Sequence, residues 1–185
     1  MLNSTNRWKY LVMILLSLVL YGKTVAQVYT TNVFTITIND VSLIRINPLS
    51  TISMNLLATV AGETTSPKSN STAYLQLTSI APANQTRRIM ASVTTGTVPA
   101  GTLLYLTASS CSTGGGDHGT PSGQITLLKN INTTLINGIG SGYTGSSSTN
   151  GFNLTYYWSV DPANYALLRA IASAPITVTY TITSN

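Results

Sequence analysis

The chain has 185 residues, of which 43% are hydrophobic and only 7% are charged, and its formal net charge is +5. This balance excludes intrinsic disorder, which requires low hydrophobicity and high net charge. The basic residues lie singly along the chain apart from the pair Arg87-Arg88, whereas a nucleic-acid-binding protein needs a basic stripe against the phosphates. We therefore expect a folded protein with no nucleic-acid partner.

Residues 1–26 have the features of a secretory signal peptide. Arg7 and Lys9 precede the apolar run 10–20, and small residues lead to Ala26, as in an n-region, an h-region and a cleavage site. The alternative is an uncleaved membrane anchor, but the run has about half of the roughly 20 residues that a spanning helix needs. We expect secretion to the cell exterior or surface, and a mature chain, residues 27–185, that forms a single domain without a membrane span.

Alternation of apolar and polar side chains predicts several short strands in the first half of the mature chain. Residues 33–38 place Phe34, Ile36 and Ile38 on one face, and a turn follows. Further strands, each bounded by turn-forming residues, are predicted at residues 41–46, 52–57, 74–80, 88–94 and 103–108.

The second half combines strands with two glycine-rich segments. Residues 111–123 are expected to form a long flexible loop, and residues 138–151 a second loop, on either side of one or two strands within 125–136. Residues 154–160 alternate again, with Trp158 on the core face. A short helix is predicted after Asp161 as its cap, and the spacing of Asp161 and Tyr165 also matches the tyrosine corner of some β-sandwiches.

The final strand, residues 175–183, alternates without a break, so that its threonines share one face and its apolar residues the other. The apolar face comprises Ile176, Val178, Tyr180 and Ile182. Nine or ten short strands with at most one short helix predict an all-β fold, specifically an antiparallel β-sandwich of immunoglobulin-like or jelly-roll type.

Side chains suited to catalysis or metal binding are scarce. The single histidine, His118, follows Asp117 in a glycine-rich segment that also contains the single cysteine, Cys111. Such a loop is poorly suited to the roughly half-ångström precision that catalysis requires, and it offers at most three zinc ligands. We predict no enzymatic activity, no cofactor and no metal site. The alternatives are a weak cation site around Asp117 and an intermolecular bridge through Cys111.

Self-association is the first kind of interaction that the sequence favours, because a chain with so few charges has weak repulsion between copies. An N-terminal strand of one copy could complete the sheet of the next, or it could pair within its own sheet. The assembly-strand candidates are Val28, Phe34, Ile36 and Ile38 near the new N-terminus and Ile176, Val178, Tyr180 and Ile182 in the last strand.

Ligand binding is the second kind of interaction. Aromatic rings can stack on sugar faces, and polar groups in the two glycine-rich loops can supplement them. The candidates for such contacts are Asp117, His118, Tyr143 and Tyr157.

The segments 135–145, 154–156 and 176–183 carry a resemblance to the pilin-like and spore-coat-U-like small secreted β domains of Gram-negative bacteria. The resemblance implies an immunoglobulin-like sandwich that serves as a subunit of a fibre or surface coat. Such pilins often contain a disulfide, which the single Cys111 does not provide. We expect a non-enzymatic structural or adhesive subunit that associates with itself or with other surface subunits. The alternative is a monomeric module that binds a glycan or surface polymer through its Gly/Ser-rich loops.

Overall fold

The computed structural model describes residues 4–20 and 33–185. The chain divides into two units, Met1–Thr37 and Ile38–Asn185. In the first unit, helix α1 (Ser4–Leu20) contains the predicted apolar run, and no helix in the described residues is long and apolar enough to cross a membrane. The predicted cleavage site at Ala26 and the assembly candidate Val28 lie outside the described residues, so both stay predictions.

The second unit is built from strands that form two antiparallel sheets. The eleven strands within the described residues are β1 (Val41–Asn47), β2 (Lys68–Ile80), β3 (Arg87–Thr95), β4 (Thr102–Ala108), β5 (Gly115–Gly116), β6 (Thr120–Pro121), β7 (Ile125–Thr126), β8 (Thr133–Ile139), β9 (Gly142–Tyr143), β10 (Phe152–Val160) and β11 (Thr177–Ser184). The seven-stranded sheet has the order β5-β9-β2-β10-β4-β7, with β1 also paired to β2, and the four-stranded sheet has the order β11-β3-β8-β6. The predicted all-β antiparallel sandwich is confirmed.

One hydrophobic core lies between the two sheets. Alternate residues of β2, β4 and β10 face it from the larger sheet, and residues of β3 and β8 face it from the smaller one, as the period of two requires. The core side chains with no exposed surface are Leu75, Ile89, Ala91, Val93, Leu106, Leu135, Ile136, Ile139, Phe152 and Leu154. Trp158 packs against this core, as predicted.

The last strand has the two faces that its sequence predicts. Val178, Tyr180 and Ile182 are half-buried and pack against the core, while Thr179 and Thr181 are exposed. Ile176 packs against the core just before the strand begins. Within the part of the chain that the structure describes, β11 pairs with β3 on one side only, so it is an edge strand of the smaller sheet there.

Two of the predicted strands do not form. Residues 33–40 have no regular secondary structure, although β1 begins directly after them. Val41 pairs with Ile80, the last residue of β2, so the register of this ladder leaves no β2 residue for positions before 41. Residues 49–59 also lack regular structure, and Ile52 and Met54 contact the core through their side chains. The prediction was wrong at both places because alternation is local, whereas a strand needs a partner for its backbone.

The glycine-rich segments are more ordered than the loops we expect from their composition. Residues 111–123 contain β5 in the larger sheet and β6 in the smaller one, so this segment crosses from one sheet to the other. Gly114 has a φ of +78°, and a Cβ at this position would collide with the carbonyl of Tyr143. Glycine is needed here because only glycine combines a positive φ with such a close backbone approach.

A hydrogen bond between two tyrosines joins the sheets inside the sandwich. The hydroxyl oxygens of Tyr156 in β10 and Tyr180 in β11 are 2.5 Å apart. Burial raises the pKa of Tyr180 far above its ordinary value, and the neighbouring Tyr156 raises it further. Burial also raises the pKa of Tyr156, although its hydrogen bond with Tyr180 opposes that shift. Both hydroxyls therefore stay protonated at neutral pH.

A buried arginine makes a second polar connection between the sheets. Arg87 begins β3 in the smaller sheet and is 5% exposed. Its guanidinium donates to the hydroxyl of Ser79 at 3.2 Å and to the carbonyl of Ile80 at 3.1 Å, both at the end of β2, and it forms an ion pair with Asp40 just before β1. Its charge is thus compensated, as a buried charge requires.

Candidate functional site

Three of the four predicted ligand-binding residues lie together at one edge of the larger sheet. Gly115 of β5 pairs with Tyr143 of β9, and the next turn brings His118 Nε2 to 2.9 Å from the Tyr143 carbonyl oxygen. The Asp117 carboxylate accepts a hydrogen bond from the Gly119 backbone N–H at 3.0 Å. The polar groups of Asp117 and His118 therefore hold the local turn.

Cys111 does not join this group through a hydrogen bond. Its Sγ lies 3.3 Å from the Thr113 carbonyl oxygen, and the side chain packs partly against the core. Within the described residues, no set of three or more His, Cys, Asp or Glu side chains is placed to hold a metal ion.

Tyr157, the fourth predicted residue, lies elsewhere in the larger sheet. It pairs with Ser69 near the start of β2, whereas Tyr143 pairs with Thr78 near its end. Nine residues of strand at roughly 3.3 Å each place the two sites about 30 Å apart along β2. The four predicted ligand-binding residues therefore do not form one site.

Tyr157 belongs to an aromatic pair on the outer face of the larger sheet. In the ladder between β10 and β4 it lies directly opposite Tyr105, and the two ring centroids are 6.1 Å apart with a 45° angle between the ring planes. Their neighbours in each strand, Tyr156 and Leu106, point into the core, so both rings face away from it. Sequence reasoning missed Tyr105, although its position between the buried Leu104 and Leu106 would have indicated this outward face.

The pair lies in an open groove with a volume of about 530 Å³, which we call the tyrosine groove. Its lining comes from β4, β10, the segment 64–67 before β2, and the helical turn after β10. The lining residues with hydroxyl groups include Thr65, Tyr105, Tyr157, Ser159 and Tyr165.

The helical turn is a 3₁₀ helix, Pro162–Leu167, and its start is as predicted. Asp161 is the N-cap, its carboxylate accepts from the Ala163 backbone N–H at 3.1 Å, and Pro162 occupies the first position. Tyr165 is 48% exposed and lines the groove. Its hydroxyl has no hydrogen-bond partner in the described part of the chain, so the tyrosine corner suggested by the spacing does not form.

The groove contains polar atoms whose hydrogen-bonding capacity is unused within the described residues. The hydroxyls of Tyr105, Tyr157 and Tyr165 have no protein partner there. The Thr65 Oγ1 atom is buried and also has none. None of the groove-lining residues in the described part of the chain is charged. The groove therefore combines aromatic faces with uncharged hydroxyl groups.

The N-terminal assembly candidates that the structure describes are exposed. Phe34, Ile36 and Ile38 are 80%, 85% and 77% exposed, although all three are large and apolar. Single exposed apolar residues are common on protein surfaces, but a regular row of them marks an interaction site more often.

No protein-family model matches the chain, and no curated protein or solved structure matches it.

Proposed function

We propose that this protein is a non-enzymatic structural or adhesive subunit of an extracellular fibre or surface coat. Copies associate through the edges of their sheets, and the segment 33–38 of one copy adds to the sheet of another. The observation that carries this proposal is the exposure of Phe34, Ile36 and Ile38, which alternate with threonines directly before β1 and which we call the apolar row.

Burial of this row would supply much of the association energy. A large apolar side chain gains about 1.5–3 kcal/mol when it is fully buried. Three such side chains gain about 5–9 kcal/mol before the entropy lost on association is subtracted. The alternating pattern means that all three could enter one groove while Thr35 and Thr37 stay in water.

The sandwich offers two long free strand edges to receive such a segment. Among the described residues, β1, with seven residues, pairs only with β2, and β11, with eight residues, pairs only with β3. The two strands contact each other across the sheets, so both free edges lie on the same side of the second unit. An incoming strand would gain backbone hydrogen bonds from an edge and apolar contacts from the half-buried Val178 and Ile182.

The remaining features support a structural role. The chain carries few charges, which favours association of copies. His118 and Asp117 hold a local turn, which is a structural task. The signal peptide expected in residues 1–26 would direct the subunit to the cell exterior. The resemblance to pilin-like and spore-coat-U-like domains implies a role at the same location.

The experiment compares the full chain with two variants of the same segment. The first variant, Phe34→Asn with Ile36→Asn, removes two apolar side chains from the apolar row. The control variant, Thr35→Asn with Thr37→Asn, replaces the same number of residues that alternate with that row. Sedimentation velocity and negative-stain electron microscopy measure assembly. We expect oligomers or filaments from the wild type and the threonine variant, and monomers from the apolar-row variant. Monomers from the wild type at all concentrations, or equal assembly of all three proteins, would contradict the proposal.

A further inference from the structure

We propose that the tyrosine groove binds a neutral glycan by stacking sugar rings on Tyr105, Tyr157 and Tyr165. This site lies on the face of the larger sheet, at the other end of β2 from the glycine-rich turn of Asp117 and His118. The inference does not depend on self-association, because it uses none of the residues in the segment 33–38.

The shape of the groove suits a sugar chain. The sheet supplies Tyr105 and Tyr157 as an adjacent cross-strand pair with ring centroids 6.1 Å apart. The helical turn contributes Tyr165 to the lining. The volume of about 530 Å³ lies within the range of roughly 300–1,000 Å³ for ligand sites. Tyrosine is well suited to such a surface because its ring is apolar and its hydroxyl is polar.

The unused hydrogen-bonding groups indicate a ligand that carries hydroxyls. Three tyrosine hydroxyls have no protein partner within the described residues, and none of them is among the buried, unsatisfied side-chain atoms of that part of the chain. Each can therefore hydrogen-bond to water or to a ligand in the groove. Sugar hydroxyls both donate and accept, and therefore match the tyrosine hydroxyls and the hydroxyl of Ser159.

The charge of the lining limits the class of ligand. Since none of the described residues that line the groove is charged, they supply no counter-charge for a sulfated, phosphorylated or carboxylated polymer. An extended peptide is the other chain that tyrosine-rich grooves can hold. The groove lies on the face of the sheet, where the backbone of β4 and β10 is already paired, so it cannot bind a peptide by strand addition. The combination of rings and hydroxyls favours a pyranose, which has an apolar C–H face and a rim of hydroxyls.

The test measures binding of defined probes to the full chain by isothermal titration calorimetry. The neutral probes are the linear hexasaccharides of glucose, mannose and N-acetylglucosamine, and the comparison probes are decaproline and a heparin hexasaccharide. We expect at least one neutral hexasaccharide to bind, and neither comparison probe to bind. If decaproline or heparin binds at the groove and no neutral hexasaccharide does, the proposal is overturned. Absence of binding by every probe also overturns it.

Variants locate the site. Tyr157→Ala and Tyr165→Ala are each expected to raise the Kd at least tenfold, which corresponds to about 1.4 kcal/mol. Tyr157→Phe keeps the ring and loses only the hydroxyl, so it should raise the Kd by less than Tyr157→Ala does. Tyr165 lies in the exposed helical turn, so its variant keeps the test valid if Tyr157→Ala fails to fold. The control is Tyr143→Ala, which removes an exposed tyrosine about 30 Å away along β2. Equal binding by Tyr165→Ala and wild type, or a tenfold loss with Tyr143→Ala alone, would refute the assignment.

The outcome is separable from that of the proposed assembly. The variant with Phe34→Asn and Ile36→Asn should bind the same hexasaccharide with an unchanged Kd. If this variant loses assembly but still binds the hexasaccharide, both the assembly proposal and the glycan-binding proposal are supported. If it loses binding, the proposal that the groove is an independent binding site is contradicted.

Discussion

Replacing Tyr180 with phenylalanine removes one partner of the hydrogen bond that joins the two sheets inside the sandwich. The Tyr156 hydroxyl would then remain in the core without its partner at 2.5 Å, in a side chain that is only 8% exposed. An unsatisfied buried hydroxyl costs about 1–3 kcal/mol. For a protein of this size, each kcal/mol lowers Tm by roughly 2–4 °C, so we expect Tyr180→Phe to lower Tm by about 2–12 °C.

Thermal and urea denaturation are followed by circular dichroism for the wild type, Tyr156→Phe, Tyr180→Phe and the double variant with both changes. The double variant removes both hydroxyls and leaves no orphan, so it should lose less stability than the sum of the single losses. The coupling energy should lie within about 0.5–3 kcal/mol, as for other residues in direct contact. A coupling energy near zero, with Tyr180→Phe as stable as the wild type, would show that the hydroxyls do not stabilise each other.

The same pair predicts how stability falls at alkaline pH. In the unfolded chain a tyrosine loses its proton near pH 10, whereas burial and the adjacent Tyr156 raise the pKa of Tyr180 in the folded protein. Above pH 10 the unfolded state therefore binds fewer protons than the folded state. The stability that is present below pH 10 should fall by about 1.4 kcal/mol per pH unit for this group. Tyr180→Phe should show a shallower fall between pH 10 and 11.5, and an unchanged slope would contradict the reasoning.

Two further predictions concern the core and the helical turn beside the groove. Leu106→Ala leaves a cavity at a position with no exposed surface, so it should lower the free energy of unfolding in urea by about 2–5 kcal/mol. Thr107→Ala on the outer face should stay within about 0.5 kcal/mol of the wild type. Equal losses of stability would contradict the assigned faces of β4. Asp161→Ala removes the N-cap acceptor and should cost about 0.5–2 kcal/mol, whereas Asp161→Asn should retain most of the stability. Identical melting curves for both Asp161 variants would refute the cap.

The extent to which the sequence predicts this fold varies from element to element. In β10 and β11 the alternation correctly predicts which side chains face the core, because the direction of a side chain in a strand depends only on its neighbours in the chain. The cap at Asp161 is predictable for the same reason, since its hydrogen bond reaches only two residues ahead. Residues 33–38 alternate just as regularly and yet form no strand, because pairing depends on a partner.

The candidate site was less accessible to sequence reasoning. The sequence indicates Tyr157 as a candidate because it lies on the strand face opposite the core, whereas Tyr143, Asp117 and His118 lie in the glycine-rich loops. The structure adds that Tyr157 lies opposite Tyr105, which is far from it in the chain. The sequence indicates Tyr165 only as part of a tyrosine corner. The structure shows that its hydroxyl has no hydrogen-bond partner within the described residues.

The all-β class, the inward and outward faces of the long strands and the scarcity of ionisable groups follow from the amino-acid sequence, because each of these properties is local or compositional. Long-range contacts are needed for the short strands that the glycine-rich segments add to both sheets, and for the groove that Tyr105, Tyr157 and Tyr165 line. They are also needed to leave the apolar row before β1 exposed. These features depend on strand register and on which strand becomes an edge, and both are set by contacts between residues distant in the chain.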